Sequence, residues 1–442
     1  MGTELSVFWF RRDLRLSDNA GLYHALKSGL PVLPVFIFDR NILDKLEDRA
    51  DKRVMFIHQA LQHLKTELQE MGSTLQVYHG NPLDVWKEIT TTYAVKKVFT
   101  NHDYEPYANE RDKQIGDFLN SKGISFSTYK DQVIFEKDEV LKPDGTPYTV
   151  YTPYSKVWKS RLNSFFLKPY PTERYYENFI KAPSSSLISI EELGFLPTDT
   201  LFPPTVVSQE LIKNYANTRD IPGIHGTSRL SVHYRFGTVS IREKAAKAQP
   251  LSEKYFNELI WREFYMSILH HYPHVVGNSF RPEYDAIQWN NDEAQFKRWC
   301  EGKTGYPMVD AGMRELNETG YMHNRVRMVV ASFLTKHLLI DWRWGEAYFA
   351  KKLIDFELAS NNGGWQWAAG CGVDAAPYFR VFNPELQLLK FDPQLIYVRR
   401  WVPEYGTPLY PGPMIDHKVA RERCLQAYQS ALKNPNLSLP AQ

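Results

Sequence analysis

The chain of 442 residues has little sulfur chemistry to offer: its three cysteines, Cys300, Cys371 and Cys424, stand far apart with no CxxC spacing. Neither a disulfide framework nor a zinc site is implied, no metal is expected, and a reducing cytoplasm is the simplest setting. No apolar run is long enough to span a bilayer, so no membrane partner is expected. The apolar strand from Leu5 is followed by arginines and not by a small-residue cleavage site, which argues against a signal peptide. Charge of one sign is also missing. The balance is +2, so nucleic-acid binding has to come from a local basic patch. No GxGxxG follows the first strand, and the common dinucleotide fingerprint is therefore absent.

Aromatic residues, by contrast, are plentiful. The 11 Trp, 26 Tyr and 25 Phe suit stacking on a planar ligand or on bases as well as core packing. A chain this long exceeds what one core serves, so two domains are expected. From Leu5 to Asp131 apolar strands alternate with helical segments: LSVFWF at Leu5, PVLPVFIF at Pro31, TLQVYHG at Thr74, KKVFTN at Lys96 and SFSTYK at Ser125. Ile57, Leu61, Leu64, Leu68 and Met71 form a stripe at spacings of three and four after the second strand. The expectation is an α/β N-terminal domain over 1–131 with a parallel, Rossmann-like sheet covered by helices. Ligands of such sheets sit at the carboxyl ends of the strands, which here carry Arg11, Arg12, Asp13, Asp39 and Asn101 to Glu105.

Residues 132–206 are rich in Pro, Ser, Tyr and Lys and read as an interdomain connection, with short helices at 153–162 and 190–193. Over 207–442 the pattern is that of an all-α C-terminal domain, with helices at 255–271, 292–301, 309–319, 324–339 and 344–353. NPNLSLPAQ at the end reads as a frayed tail.

Several constellations carry chemistry. Asn361-Asn362-Gly363-Gly364 is expected to break a helix, and its glycines to let the backbone approach something flat and bulky. Trp365 and Trp367 follow at once, with Asp355 and Glu357 as acceptors just before; the combination suits a planar heteroaromatic cofactor. In NELIWREFY, Glu258, Trp261 and Arg262 fall at i, i+3 and i+4, so one helix face presents a carboxylate, an indole and a guanidinium. Asn324, Arg327 and Met328 repeat that spacing, and the two faces are candidate walls of one cavity; the alternative is a pair of exposed, salt-bridged faces. Thr227-Ser228-Arg229-Leu230-Ser231, introduced by Gly223 and Gly226, offers a phosphate cradle, although a helix N-cap uses the same letters. Arg219, His225, Arg229, His233, Arg235 and Arg242, then His323, Arg325, Arg327 and Arg343, are candidate contacts to a DNA backbone.

TSRLS at Thr227, NELIWREFY at Asn257, EGKTGYPMVDAGMREL at Glu301, GYMHNRVRM at Gly320, LLIDWR at Leu338 and NNGGWQWAAGCGVDAAPYFRVFNP at Asn361 resemble the photolyase/cryptochrome family, most of all its class I cyclobutane pyrimidine dimer photolyases. FWFRRDLRLSDN at Phe8 resembles the family's N-terminal signature, so the likeness runs over nearly the whole chain. The resemblance implies an antenna-type α/β domain, a helical domain that holds FAD, and light-driven electron transfer from reduced FADH⁻ to a flipped-out pyrimidine dimer in UV-damaged DNA.

Residue by residue, the resemblance implies that Tyr215 and Thr227, Ser228, Arg229, Leu230 and Ser231 hold the flavin's phosphates and ribityl chain, with Arg262 near the phosphates. Asn361 would face flavin N5, Arg327 and Asp355 would pair beside the ring, and Asn324 and Glu357 belong to the same cofactor set. Glu357 stands where the family usually has Asp, one methylene shorter. Glu258 would hydrogen-bond the dimer; Trp261, Met328 and Trp367 would line its cavity; Arg219, Arg325 and Arg380 would meet DNA phosphates. Trp365, Trp342 and Trp289 match the family's electron relay. Asn109 and Glu110 match residues that hold methenyltetrahydrofolate as an antenna in some relatives, where others use a deazaflavin or no antenna. The expected function is thus a monomeric deoxyribodipyrimidine photolyase. The alternative is a cryptochrome-like blue-light receptor that binds FAD without repair.

Overall fold

The computed structural model describes residues 3–183 and 185–433; the tail expected to fray, 434–442, lies outside them. The chain folds into two compact units, Met1–Glu136 with Arg161–Val206 and Arg229–Pro250, and Lys137–Ser160 with Val207–Ser228 and Leu251–Gln442. This division departs from the expected boundaries. Most of the supposed connection belongs to the first unit, and so does a segment, 229–250, expected in the helical domain.

The first unit is built on five parallel strands, β1 Leu5–Phe10, β2 Val32–Asp39, β3 Gln76–Gly80, β4 Val95–Asn101 and β5 Ser125–Tyr129, in the order β3-β2-β1-β4-β5. Every residue of β1 and β2 is buried while β3 and β5 are not, as expected when helices cover both faces of central strands. The helix Lys52–Glu70 buries Leu61, Leu64 and Leu68 of the expected stripe.

The chain order reverses between β1 and β4, where a sheet of this kind offers a crevice. Here the protein fills that crevice itself. Arg12 pairs with Asp103 at 3.0 Å and Glu105 at 3.1 Å, and Arg235 reaches the same Glu105 at 2.8 Å. Asp131 receives Arg15 and Arg242, each at 2.7 Å, and Arg242 also bonds Asp18 at 2.9 Å. Leu14 N–H donates to the Phe236 carbonyl at 3.0 Å. Gly237, at φ 63°, lies where a Cβ would overlap the Arg12 carbonyl. Burial by itself would raise the Asp131 carboxyl, but the Arg15 and Arg242 guanidiniums outweigh it and hold it below the ordinary aspartate value. The guanidiniums of Arg12, Arg235 and Arg242 are thus engaged in ion pairs within this unit.

The second unit is helical. Its core gathers Trp299, Met308, Val309, Met313, Val326 and Phe333 among other fully buried side chains. Glu253–His271 starts on Ser252, whose side chain accepts from Tyr255 N–H, and Trp342–Lys352 starts on Asp341, whose carboxylate accepts from Arg343 N–H. Two expectations fail here. The helix anticipated over 324–339 stops at Ser332 and passes into a π-helical turn, Phe333–His337. The NNGG run does not break a helix; it lies inside one, Leu358–Ala369. Tertiary packing outweighs its poor propensity: a Cβ on Gly363 would overlap the Tyr265 ring, so glycine lets two helices approach, and Asn362 Nδ2 donates to the Val275 carbonyl at 2.8 Å. In the first unit, the helix anticipated at 190–193 is only a turn. No helix among the described residues is long and apolar enough to cross a membrane.

Candidate active site

The helix Leu358–Ala369 packs against Glu253–His271, Asn324–Ser332 and Trp342–Lys352, so the carriers of the candidate residues meet in one unit. The face read from NELIWREFY opens on a cavity of about 330 Å³. Glu258, Trp261, Arg219, Arg325, Lys254 and Tyr151 are among its lining residues. Trp261 stacks flat on Tyr151, ring centroids 3.7 Å apart at 4°, and the Tyr151 hydroxyl donates to the Asn257 carbonyl at 2.9 Å. The result is a rigid double aromatic wall.

Glu258 is bonded to the Arg219 guanidinium. Burial pushes its carboxyl above the ordinary glutamate value, although Arg219 pulls the other way. Arg325 donates to Asp220 through Nη2 at 2.9 Å and Nε at 3.2 Å, sits 4.3 Å above the Phe391 ring, and brings Nη1 within 3.6 Å of Met328 Sδ. The cavity therefore combines two guanidiniums, an ammonium and two carboxyls, Asp220 and Glu258, the latter raised above its ordinary value by burial.

The set read as cofactor-binding is carried by the same packed helices. Arg327 Nη2 pairs with both Asp355 oxygens at 2.9 and 3.1 Å, and its Nε donates to the Met322 carbonyl at 2.8 Å. Burial alone would lower this guanidinium's pKa; the Asp355 carboxylate more than restores it. Arg262 pairs with Glu357 at 3.2 Å, and Ser360 donates to the other Glu357 oxygen at 3.2 Å. The longer side chain at position 357 is thus the partner of a guanidinium on the neighbouring helix. Asn361 donates from Nδ2 to Glu346 Oε1 at 2.8 Å and to the Glu346 carbonyl at 3.1 Å, which leaves Oδ1 to accept from a ligand N–H. Tyr215 packs edge-on to Tyr255, whose hydroxyl donates to Ser228 at 3.1 Å. Thr227 lies 3.4 Å from the Tyr321 hydroxyl, and Asn324 is exposed.

Arg229, Leu230 and Ser231 fall in the first unit, where Arg229 adopts φ 53° and Leu230 is buried. Arg380 is exposed over Phe382, Trp367 is half-buried, and Arg343 is held by Asp285 and Asp341. Trp365 and Trp342 are buried while Trp289 is half-buried. Trp365 lies edge-on to Phe349 at 5.0 Å over Gly345, where a Cβ would overlap its ring. In the first unit Glu110 lines a smaller cavity of about 160 Å³ with Asn41, Asn81, Tyr107 and Arg111; Asn109, next to it, is exposed.

Glu346, Tyr151 and Asp220 do not stand out in the sequence as site residues. Glu346 carries a signal all the same: it follows Trp342 by four residues on a helix face otherwise made of Gly345 and Phe349. Tyr151 and Asp220 carry none, because their partners are distant in the chain.

Two family models match: "DNA photolyase" over residues 6–174 and "FAD binding domain of DNA photolyase" over 255–408. The chain is 37% identical to the deoxyribodipyrimidine photo-lyase of Halobacterium salinarum over 97% of its own length and 99% of that protein. Among solved structures it is similar to a bacterial class III photolyase from Agrobacterium tumefaciens, with TM-score 0.86 and 32% identity over 98% of both chains. It is also similar to an archaeal photolyase from Sulfolobus tokodaii described with two FAD molecules, with TM-score 0.81 and 34% identity over 97% of this chain and all of that one.

Proposed function

This chain belongs to the DNA photolyase family, and from that premise we propose that it is a light-dependent repair enzyme that splits cyclobutane pyrimidine dimers in damaged DNA, with FAD as cofactor. The observation that carries the reading is the cavity lined together by the Glu258 carboxyl, bonded to Arg219, by the stacked Trp261 and Tyr151, and by Arg325.

The residues present fit a flavin. Asn361 keeps an acceptor oxygen for a ring N–H, and Arg327, with Nε and Nη2 committed to protein oxygens, keeps Nη1 for an electron-rich ring edge. We assign Asn361, Arg327 and Asp355 to the ring, and Tyr215, Thr227, Ser228 and Arg262 to the phosphates and ribityl chain. Glu357 positions Arg262. When bound, FAD absorbs the light and provides the transferred electron.

The chain's own side chains do the rest. Trp261 and Tyr151 offer a flat apolar wall on which the two linked bases of an extruded dimer can stack. Glu258, when protonated, donates a hydrogen bond to a base carbonyl oxygen as negative charge develops there, an interaction that strengthens with the charge. Arg219, Arg325 and Arg380 meet the phosphates, and their contribution falls with salt. Met328 and Trp367 add polarizable surface. Trp365, Trp342 and Trp289 carry electrons from the surface toward the cofactor. Glu110 marks the first unit's cavity as the place for an antenna chromophore, a folate or a deazaflavin. The protein acts as a monomer in the cytoplasm.

An absorption spectrum, followed by blue-light illumination with reductant and an oligonucleotide that carries one thymine dimer, tests the whole reading. Flavin bands with recovery of thymine absorbance support it. Flavin bands without recovery would replace it with the cryptochrome-like receptor.

A further inference from the structure

The helix Glu253–His271, whose middle carries Glu258 and Trp261, ends on two adjacent histidines, His270 and His271. Against that end lies the short helical turn Lys137–Glu139. One ligand atom from each of Asp138, His270 and His271 lies within 4.8 Å of the others. His271 Nε2 and Asp138 Oδ1 are 3.8 Å apart, and the centroids of the two imidazoles stand 5.0 Å apart at 73°.

We propose that Asp138, His270 and His271 form a binding site for a divalent first-row transition ion such as zinc or nickel. The donor set decides the class of ion: two imidazoles and one carboxylate suit zinc, nickel or copper, whereas magnesium and calcium call for oxygen cages. Ligand atoms around a tetrahedral zinc are separated by about 3.4 Å, so the cluster needs to contract only slightly. The adjustment falls on Asp138, whose side chain is 76% exposed, and on His271, whose Nε2 has to give up the proton it donates to the Lys137 carbonyl at 3.2 Å before it can ligate. The cluster also sits at a helix C-terminus, where unpaired carbonyls favour a cation. None of the three residues belongs to the cavity that holds Glu258.

The turn 137–139 opens the segment 137–160 that delivers Tyr151 onto Trp261. An ion held here ties that segment to the far end of the helix that carries Glu258. Its binding free energy adds to the stability of the folded form only.

The competing account is a protonated His271 shared between the Lys137 carbonyl and Asp138, with no ion. The flavin-loaded full chain, free of any histidine tag and dialysed against a chelator, distinguishes the two. Calorimetric titration with nickel or zinc is expected to show one ion per chain with micromolar affinity, with no heat from magnesium. Cobalt should give visible absorption bands, and nickel should raise the melting temperature. H271A and D138N should each weaken nickel binding by about tenfold or more and abolish the thermal shift, with the flavin spectrum unchanged. D138N alters an exposed side chain, so it reports on the site even where H271A perturbs the helix. Failure to bind one ion, equal affinity in both variants, or equal competition by magnesium would overturn the proposal.

Discussion

Asn361 Nδ2 lies 2.8 Å from Glu346 Oε1, so a buried-side acid on the Trp342–Lys352 helix decides which way the amide of the Leu358–Ala369 helix points. Burial raises the Glu346 carboxyl above the ordinary glutamate value, with Asn361 opposing. The folded state therefore holds that proton more tightly than the unfolded chain. Its stabilising effect is complete below the ordinary glutamate value and is lost as pH rises through the raised one. Glu346→Gln should flatten that part of the stability-against-pH curve. Glu346→Ala should cost about 1–3 kcal/mol and slow photoreduction of bound flavin, both readable by denaturant titration and by illumination.

Glu258→Ala should lower repair yield while flavin stays bound, because the residue lies on the cavity and its hydrogen bond is to Arg219. Wild-type repair should fall as pH rises through the raised Glu258 value. Glu258→Gln, an amide that donates at every pH, should remove that dependence. Loss of flavin from Glu258→Ala would show the residue to be misassigned.

Trp342→Phe should block photoreduction of oxidised enzyme and spare repair by enzyme reduced chemically. Trp342 is buried one helical turn before Gly345, the residue on which Trp365 rests. Loss of repair in the chemically reduced sample would contradict the relay role.

Asp131→Asn should destabilise the first unit by about 3–5 kcal/mol, since it leaves the buried Arg15 and Arg242 short of their common counter-charge. With its folded value depressed, Asp131 contributes stability above the ordinary aspartate value and loses it as pH falls through the folded one. The variant's acid unfolding curve should be correspondingly shallower in calorimetry.

Gly363→Ala and Gly364→Ala should move stability in opposite directions. A methyl at 363 overlaps the Tyr265 ring, whereas at 364 it meets nothing within 4 Å. Overpacking should cost about 1–3 kcal/mol at the first position, and helix propensity should add up to about 1 kcal/mol at the second. Melting temperatures of the two variants provide the comparison.

Much was legible in the linear chain. The five strands, the stripe Leu61, Leu64 and Leu68, and the i, i+3, i+4 set of Glu258, Trp261 and Arg262 are local patterns, and local patterns follow from periodicity alone. The motifs were sufficient to assign the family. Other features depended on partners far away in sequence. Arg12 and Arg242 read as ligand or DNA contacts until Asp103, Glu105, Asp18 and Asp131 came to meet them. The NNGG run read as a helix breaker until Tyr265 and the Val275 carbonyl supplied what its propensity lacks. Tyr151 gained a role only by stacking on Trp261. Sequence by itself determined the elements and the residue types that bear the chemistry, because backbone propensity and side-chain spacing act over a few residues. Tertiary structure alone decided which charges are spent on the fold and which remain for a ligand, because a charge is satisfied through space and not along the chain.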